Sequence, residues 1–230
     1  MARRQRTQTA VPSAARSDKP VEPRMPAHRE TAELGSIGDG VWTESTLTGT
    51  LPADHDGRLV LMEVHLGPAS MVGAMIAESR LIDVLVDGAD LAGARFDGSS
   101  LTRVEVRDAR LSGARFDQAR LRDVRFVRCV LDDANFAMAQ GERVRFEDCR
   151  MIGARFTDTT LDGVAWWDCD LTDADFSQVH VSRAQLQGST IDGLQGAASL
   201  VPVAIDRHQF AAFGQHLLDT LGVTVQERAG

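Results

Sequence analysis

The chain has 230 residues, 43% of them hydrophobic and 25% charged, which is typical of a folded globular or repeat protein. Its formal charge of -8 argues against general binding to nucleic acid, because a phosphate backbone attracts a net basic surface. No apolar run approaches the roughly 18 residues of a membrane span, and the start lacks the apolar stretch of a secretory signal. We therefore expect a cytoplasmic protein that makes no membrane contact.

The first 40 residues mix Arg, Ala, Pro, Ser and Gly without apolar periodicity, and residues 1–30 carry seven basic against three acidic side chains. This composition predicts a disordered basic tail over residues 1–40. Such a tail could contact nucleic acid or an acidic partner, although short charged termini are most often only solvated. Residues 41–60, with Val41, Trp42 and Leu47, are predicted to form an N-terminal cap for the part of the chain that begins at residue 61.

From Leu81 to Ile191 an apolar residue stands at every fifth position, with Gly141 as the one exception. A helix would need apolar spacings of three and four and a strand a spacing of two, so neither regular element fits. Two residues before each centre stands a small side chain, and two after it usually Gly or Asp, types that accept turn dihedrals. Each five-residue unit therefore consists of a small residue, any residue, a large apolar residue, any residue and a turn-forming residue.

The phenylalanines indicate how many units form one coil. They recur every 20 residues, at Phe96, Phe116, Phe136, Phe156 and Phe176. Four units therefore make a coil with four faces. Cys129, Cys149 and Cys169 keep the same step, so we expect them to stack inside as small fillers. At Gly141 either Met138 folds inward or the rod kinks.

Several stretches of the sequence resemble the pentapeptide-repeat proteins, namely ADLAGARF (89–96), SGARF (112–116), DANF (133–136), IGARF (152–156) and DADF (173–176). The resemblance covers about residues 61–195. It implies an all-β solenoid, a right-handed quadrilateral β-helix of about seven coils, whose central apolar and small residues face inward. Stacked coils would also pair their backbone groups with the coils above and below and enclose one apolar column.

Residues 196–230 are predicted to form a C-terminal cap with a short α-helix, with Asp206 as N-cap, Gln209 three residues later and Gly222 as the stop. One apolar stripe of this helix consists of Phe210, Phe213, Leu217 and Leu221. The stripe is either a lid over the last coil, which a solenoid needs, or a dimer interface. The resemblance implies the second, since several family members pair through their C-terminal ends as homodimers.

The sequence contains no set of residues that points to catalysis. No nucleophile stands beside a base, the six histidines are scattered, and no phosphate-binding glycine motif occurs in a strand-turn-helix context. Three cysteines without a CxxC pair also argue against a disulfide framework and a closed metal site. We therefore expect no enzyme activity, no cofactor and no metal.

Charge occurs in blocks along the predicted rod. Residues 95–128 carry nine arginines against five acidic residues, which predicts a mildly basic belt. Residues 157–182 contain no Lys or Arg, and their acidic residues stand at the outward positions Asp158, Asp162, Asp168, Asp170, Asp173 and Asp175. Trp167 comes directly after the inward Trp166, so we expect it to point outward, either into a partner interface or under the C-terminal segment.

Three functions fit these features. The first is a non-enzymatic scaffold whose faces bind a protein partner, with the acidic block and Trp167 as the partner-binding surface. The second follows from the resemblance, since its quinolone-resistance branch mimics DNA and binds DNA gyrase or topoisomerase IV; the arginine belt departs from such a mimic. The third is a nucleic-acid contact of the tail or belt, against which the net charge weighs.

Overall fold

The computed structural model describes residues 19–36 and 40–223, which form a parallel β-solenoid of about eight coils with a single C-terminal helix. From Met71 to Ile191 the chain turns at the corners because the residue two after each centre of the repeat takes a left-handed dihedral, as at Asp83 (φ 55) and Gly88 (φ 66). Glycine adopts this region without strain and aspartate tolerates it, which explains the Gly and Asp of the repeat. The predicted all-β solenoid is confirmed.

The described residues contain 14 strands in one sheet. The early strands are β1 (Glu30–Glu33), β2 (Gly40–Thr43), β3 (Ser45–Thr50), β4 (Leu59–Met62) and β5 (His65–Ser70). The later strands are β6 (Arg80–Asp87), β7 (Ser100–Arg107), β8 (Arg120–Val127), β9 (Gln140–Glu147), β10 (Thr160–Asp162), β11 (Ala165–Trp167), β12 (His180–Ser182), β13 (Ala184–Gln187) and β14 (Val203–Ile205). Two 3-10 helices, Leu34–Ser36 and Ala197–Leu200, and the helix α1 (Phe210–Thr220) complete the fold.

The register of the strands separates the rod into two parts. From β6 to β13 the paired positions are 20 residues apart, so that Leu81 lies beside Leu101 and Leu101 beside Leu121. In the early coils the step is shorter, since Leu47 pairs with Leu66, and the ladder between β3 and β5 carries a register shift. Equivalent positions therefore stack in straight columns only in the later part.

Aromatic rings fill the later part of the column. The five phenylalanines of the 20-residue series stack with ring centroids 4.9 to 5.0 Å apart. A second stack of Phe126, Phe146 and Trp166 stands on another face and meets the first edge-on. Both arrangements are favourable geometries for aromatic pairs. Cys129, Cys149 and Cys169 are buried and free, and the pKa of the Cys129 thiol is raised because Cys149 lies beside it and the site is buried.

The space left inside the rod by the missing side chain of Gly141 is filled in a way that the sequence did not indicate. The side chain of Leu161, one coil further on, occupies the space, since a Cβ on Gly141 would lie 2.5 Å from its Cδ2. Met138 instead stays half exposed. Leu121, Gly141 and Leu161 also remain in register, so both predicted alternatives, a Met138 filler and a kink, are wrong.

The solenoid begins earlier than the predicted boundary at residue 61. Residues 1–18 and 37–39 of the predicted tail lie outside the described residues, but Glu30–Glu33 forms β1 and pairs with β3. The predicted cap 41–60 contributes β2 and β3, and Leu47 and Leu51 are buried in the core. These early coils account for the difference between the eight coils observed and the seven predicted. The five-residue pattern does not reveal these early coils, because the number of residues from one early coil to the next is irregular.

Candidate functional site on the outer faces of the rod

The inside of the rod is a packed column of its own side chains, so its outer faces are where binding groups can stand. No group of His, Cys, Asp or Glu that could hold a metal ion occurs within residues 19–36 and 40–223. None of the helices in these residues is long and apolar enough to cross a membrane. The candidate site is therefore sought among the outward columns of charged and aromatic side chains.

The six aspartates predicted as a partner site form a ring around the rod, which we call the acidic collar (Asp158, Asp162, Asp168, Asp170, Asp173 and Asp175). They span less than one coil of 20 residues, so they lie on successive faces and corners and not along one side. Asp158, Asp168 and Asp173 are the exposed members, each at a corner with a left-handed dihedral. The collar thus presents negative charge in several directions at one height of the rod.

The other three members of the collar are held by neighbours. Asp162 pairs with Arg183 at 2.5 Å and accepts a hydrogen bond from Ser182, and these two partners lower the pKa of its carboxyl. Burial raises the pKa of Asp175, but hydrogen bonds from Ser177 and Thr157 outweigh it and leave that pKa below its usual value.

Asp170 is the third held member, and it accepts hydrogen bonds from the backbone N–H and the hydroxyl of Thr172. Held carboxylates of this kind shape turns and make ion pairs within the rod, whereas free ones can receive a partner. The exposed Asp158, Asp168 and Asp173 make no ion pair within the described part of the chain, so they are the stronger candidates for binding.

Trp167 lies on the outer side of β11, as predicted from its register. Its ring is half-buried, and the guanidinium carbon of Arg145, one coil earlier, stands 4.0 Å from the ring centroid. This is a cation–π contact, which stabilises the ring by about 0.5 to 2 kcal/mol depending on exposure. The contact that the structure places over Trp167 thus comes from the preceding coil, an arrangement that the sequence did not suggest.

Most arginines of the predicted basic belt are paired with carboxylates, and Arg120 is exposed without an ion pair to the described residues. Eight of its nine arginines make ion pairs, namely Arg95–Asp97, Arg103–Asp83, Arg107–Glu105, Arg110–Asp90, Arg115–Asp117, Arg122–Glu142, Arg125–Glu147 and Arg128–Asp108. Several partners, such as Asp83 and Glu147, lie outside residues 95–128 because they stand one coil away. The ion pairs reduce the basic character predicted for this surface, because counting charges along residues 95–128 misses the carboxylates on neighbouring coils.

The C-terminal helix divides its predicted apolar stripe between two surroundings. Phe213 is buried and Leu217 packs against the core, whereas Phe210 is 73% exposed and Leu221, just after the helix, is 71% exposed. His216 holds the helix to the last coil through a hydrogen bond of 2.9 Å between its Nε2 and the carbonyl of Ile191. The helix therefore covers the last coil and also presents apolar side chains outward.

The predicted capping pair of this helix forms, although the helix itself starts later. The backbone N–H of Gln209 donates to Asp206, and the Gln209 side chain accepts from the Asp206 N–H. These bonds stabilise the turn that precedes α1, which begins at Phe210 and not directly after Asp206.

One structured element was not predicted, a segment that we call the proline strap (residues 20–26). It has no regular secondary structure, and it lies against the rod: the Val21 N–H donates to Asp123 Oδ1 at 3.1 Å, and the Arg24 N–H donates to Asp83 Oδ1 at 3.0 Å. Pro20 is buried. The expectation of disorder through residue 40 is therefore corrected for these residues, because two carboxylates on the rod hold their backbone.

A signal for the strap was present in the sequence. Prolines stand at every third position, at Pro20, Pro23 and Pro26. This is the repeat of the extended polyproline II helix, which has three residues per turn. Composition alone suggested disorder, because it does not register the spacing.

Comparisons with known proteins agree with the repeat. A family model described as "Pentapeptide repeat region" matches residues 119–195, and one described as "Pentapeptide repeats (9 copies)" matches residues 84–125. A search of curated proteins found no match. The two models together match the part of the chain in which the 20-residue step is strict.

Solved structures of similar proteins include a trypsin-treated form of QnrB1, described as a plasmid-mediated fluoroquinolone resistance protein. Its sequence is 18% identical to this chain, and the match covers 88% of this chain and 100% of that chain with a TM-score of 0.46. HetL, a pentapeptide repeat protein involved in heterocyst differentiation regulation from the cyanobacterium Nostoc sp. strain PCC 7120, is 16% identical, with 77% and 90% covered and a TM-score of 0.36. A pentapeptide repeat protein from the Arabidopsis thaliana thylakoid lumen is 20% identical, with 53% and 65% covered and a TM-score of 0.24.

Proposed function

We propose that this chain, which matches pentapeptide-repeat family models over residues 84–195, is a non-enzymatic cytoplasmic scaffold that binds a protein partner on the outer faces of its rod. The observation that carries the proposal is the filled interior: stacked rings and small side chains occupy the column, while charged side chains stand outside in fixed columns. Catalysis needs a water-excluding pocket with converging groups, whereas a rigid surface suffices for binding.

The partner surface in this proposal is the acidic collar together with Trp167. Asp158, Asp168 and Asp173 supply exposed negative charge, which guides a basic partner, and the half-buried ring of Trp167 supplies apolar area. Changing the three aspartates to Asn removes the charge and keeps the shape of the side chains.

The test compares cross-linked partners of the wild type and of this triple variant in the host cytoplasm. The control is Asp54→Asn, which changes an exposed carboxylate at the other end of the rod. The collar is supported as the binding site if a protein binds the wild type and this control but does not bind the triple variant. Equal binding by all three removes it as the partner site.

We further propose that two copies pair through their C-terminal ends. Phe210 and Leu221 supply the exposed apolar side chains, while Phe213 and Leu217 serve as the lid. Phe210→Glu together with Leu221→Glu should convert a dimer to a monomer in light scattering, and the control Gln215→Ala should not. A wild type that is already monomeric contradicts the pairing.

A second candidate function is mimicry of DNA, with DNA gyrase or topoisomerase IV as the partner. It is favoured by one observation: eight of the nine arginines that would oppose such mimicry make ion pairs, so little free positive charge of the belt offsets the unpaired charge of the collar. In a supercoiling assay the wild type should then inhibit the host gyrase, and the collar variant with Asp158, Asp168 and Asp173 changed to Asn should not. Failure of both proteins to change supercoiling excludes this function while leaving the scaffold.

A further inference from the structure

The proline strap occupies a corner of the rod at which Asp83 and Asp123 stand two coils apart. We propose that this corner is a docking groove for an extended proline-rich segment of a partner protein, and that the strap is its built-in occupant. The inference deepens the proposed function and rests on it, because it gives the chemistry of a segment that the scaffold would bind.

The two carboxylates are fixed acceptors. Both are buried on an outward column, Asp83 and Asp123 being 5% exposed. Arg103 binds Asp83 with its Nε and Nη2, each at 2.6 Å, and Arg143 binds Asp123 in the same way at 2.6 and 2.9 Å. A bidentate arginine orients a carboxylate rigidly and leaves acceptor capacity on it. The strap N–H groups use that remaining capacity.

The spacing of these acceptors fits a polyproline II segment. Coils are about 4.8 Å apart, so carboxylates on alternate coils are separated by about 10 Å along the rod. One turn of polyproline II is three residues with a rise of about 3.1 Å each, so donors at positions i and i+3 are about 9 Å apart and point the same way. Val21 and Arg24 are three residues apart and donate to Asp123 and Asp83.

The strap contacts show what the groove selects. The prolines at 20, 23 and 26 have no N–H to satisfy, while the residue after each of the first two donates. The side chain of Val21 is exposed, and so are Glu22 and Arg24. Recognition therefore runs through the backbone and through proline at every third position, and it leaves the intervening side chains free to vary.

The strap is suited to exchange with such a partner. Its backbone is held by side-chain carboxylates and not by a strand ladder, so its opening leaves the solenoid sheet intact. Because it is tethered, it competes with a partner at an effective concentration in the millimolar range. A partner must outcompete it, and releasing the strap should raise the apparent affinity of the groove for a free peptide.

The experiment uses the full chain and a fluorescently labelled peptide with the sequence of residues 19–29, KPVEPRMPAHR. Val21→Pro with Arg24→Pro removes both strap donors without touching the rod, and proline keeps the extended conformation. We expect this double variant to bind the peptide at least tenfold more tightly than the wild type in fluorescence anisotropy. The matched control is Glu22→Pro, at a strap position between the two donors, and it should bind like the wild type.

Adding Asp83→Ala and Asp123→Ala, which remove the acceptor oxygens, to the double variant should remove the gain, with an unchanged circular dichroism spectrum as the check on folding. No peptide binding to the double variant, or binding that does not depend on the two aspartates, overturns the groove. In the wild type, the amide hydrogens of Val21 and Arg24 should exchange more slowly than that of Glu22, and equal exchange overturns the docked strap. Partner capture through the collar is measured separately, so a negative peptide result refutes the groove without refuting the scaffold.

Discussion

The regular coils of residues 80–195 and the early coils of residues 30–79 share one backbone path but fill it differently. The regular coils carry stacked rings, whereas the early coils contain no phenylalanine and are filled by Leu, Met, Ile and Val. An enclosed void of about 20 Å³ lies where the two parts meet, lined by residues such as Leu61, Ile76 and Phe96.

This difference arises from the step between coils. A strict step of 20 residues places identical side chains directly above one another, so one good contact, such as the ring stack between Phe116 and Phe136, repeats along the rod. Steps of irregular length bring unlike side chains together, and the packing must be solved anew at each coil. The early coils should therefore tolerate change better than the regular ones.

The largest expected effect is the loss of a ring from the middle of the stack. Phe136 stacks on Phe116 at 4.9 Å and on Phe156 at 5.0 Å, so Phe136→Ala should destabilise the fold by about 3–5 kcal/mol. Ile76→Ala, in the same column but beside the void, should cost about 2 kcal/mol, since fewer contacts are lost. Urea unfolding measures both, and equal costs would show that the two parts pack alike.

The next effect concerns glycines at corners. A Cβ on Gly196 would lie 2.5 Å from backbone atoms of Phe176 and Ser177, and its φ is 72. Gly196→Ala should therefore cost about 1–2 kcal/mol for the left-handed dihedral and a further 1–3 kcal/mol for the forced backbone shift. Gly88→Ala, with φ 66 and nothing within 4 Å, should show only the first part. Thermal unfolding measures the loss of stability in both variants, and an equal loss would contradict the expected backbone clash at Gly196.

A smaller difference in stability is expected between the regular and the early coils when a glycine with an ordinary backbone dihedral is changed to alanine. Gly141→Ala, which the five-residue pattern alone would favour, should destabilise by about 1 kcal/mol because Leu161 already fills the site. Gly67→Ala in the early coils meets Thr48 at an ordinary 3.5 Å and should be neutral or slightly stabilising. Chemical denaturation of both variants tests the sign, and a gain at Gly141 would mean that Leu161 moves without loss.

The smallest effect is a gain. Ile76→Phe would extend the phenylalanine column by one ring towards the void and stack on Phe96, which should stabilise the fold by up to about 1 kcal/mol. Val106→Phe, away from the void, is the matched control and should destabilise through overpacking. If both changes stabilise the fold, the void does not limit the stability of the early coils.

Much of the fold could be predicted because contacts in a solenoid repeat. Each inward centre from Leu81 onward meets the residues 20 positions before and after it, so the five-residue pattern and the 20-residue phenylalanine series determine the faces, the register and the filling of the column. The position of Trp167 on the outer side is determined by the same count.

Tertiary structure alone decided the features that depend on particular neighbours. Leu161 fills the gap at Gly141 because of the shape of that site, and several arginines are paired with carboxylates that stand on adjacent coils. The proline strap is placed by two hydrogen bonds to Asp123 and Asp83 that join residues 102 and 59 positions apart. A periodic pattern carries no record of such contacts, because they join a segment outside the repeat to carboxylates at turn positions, which the pattern specifies only as turn formers.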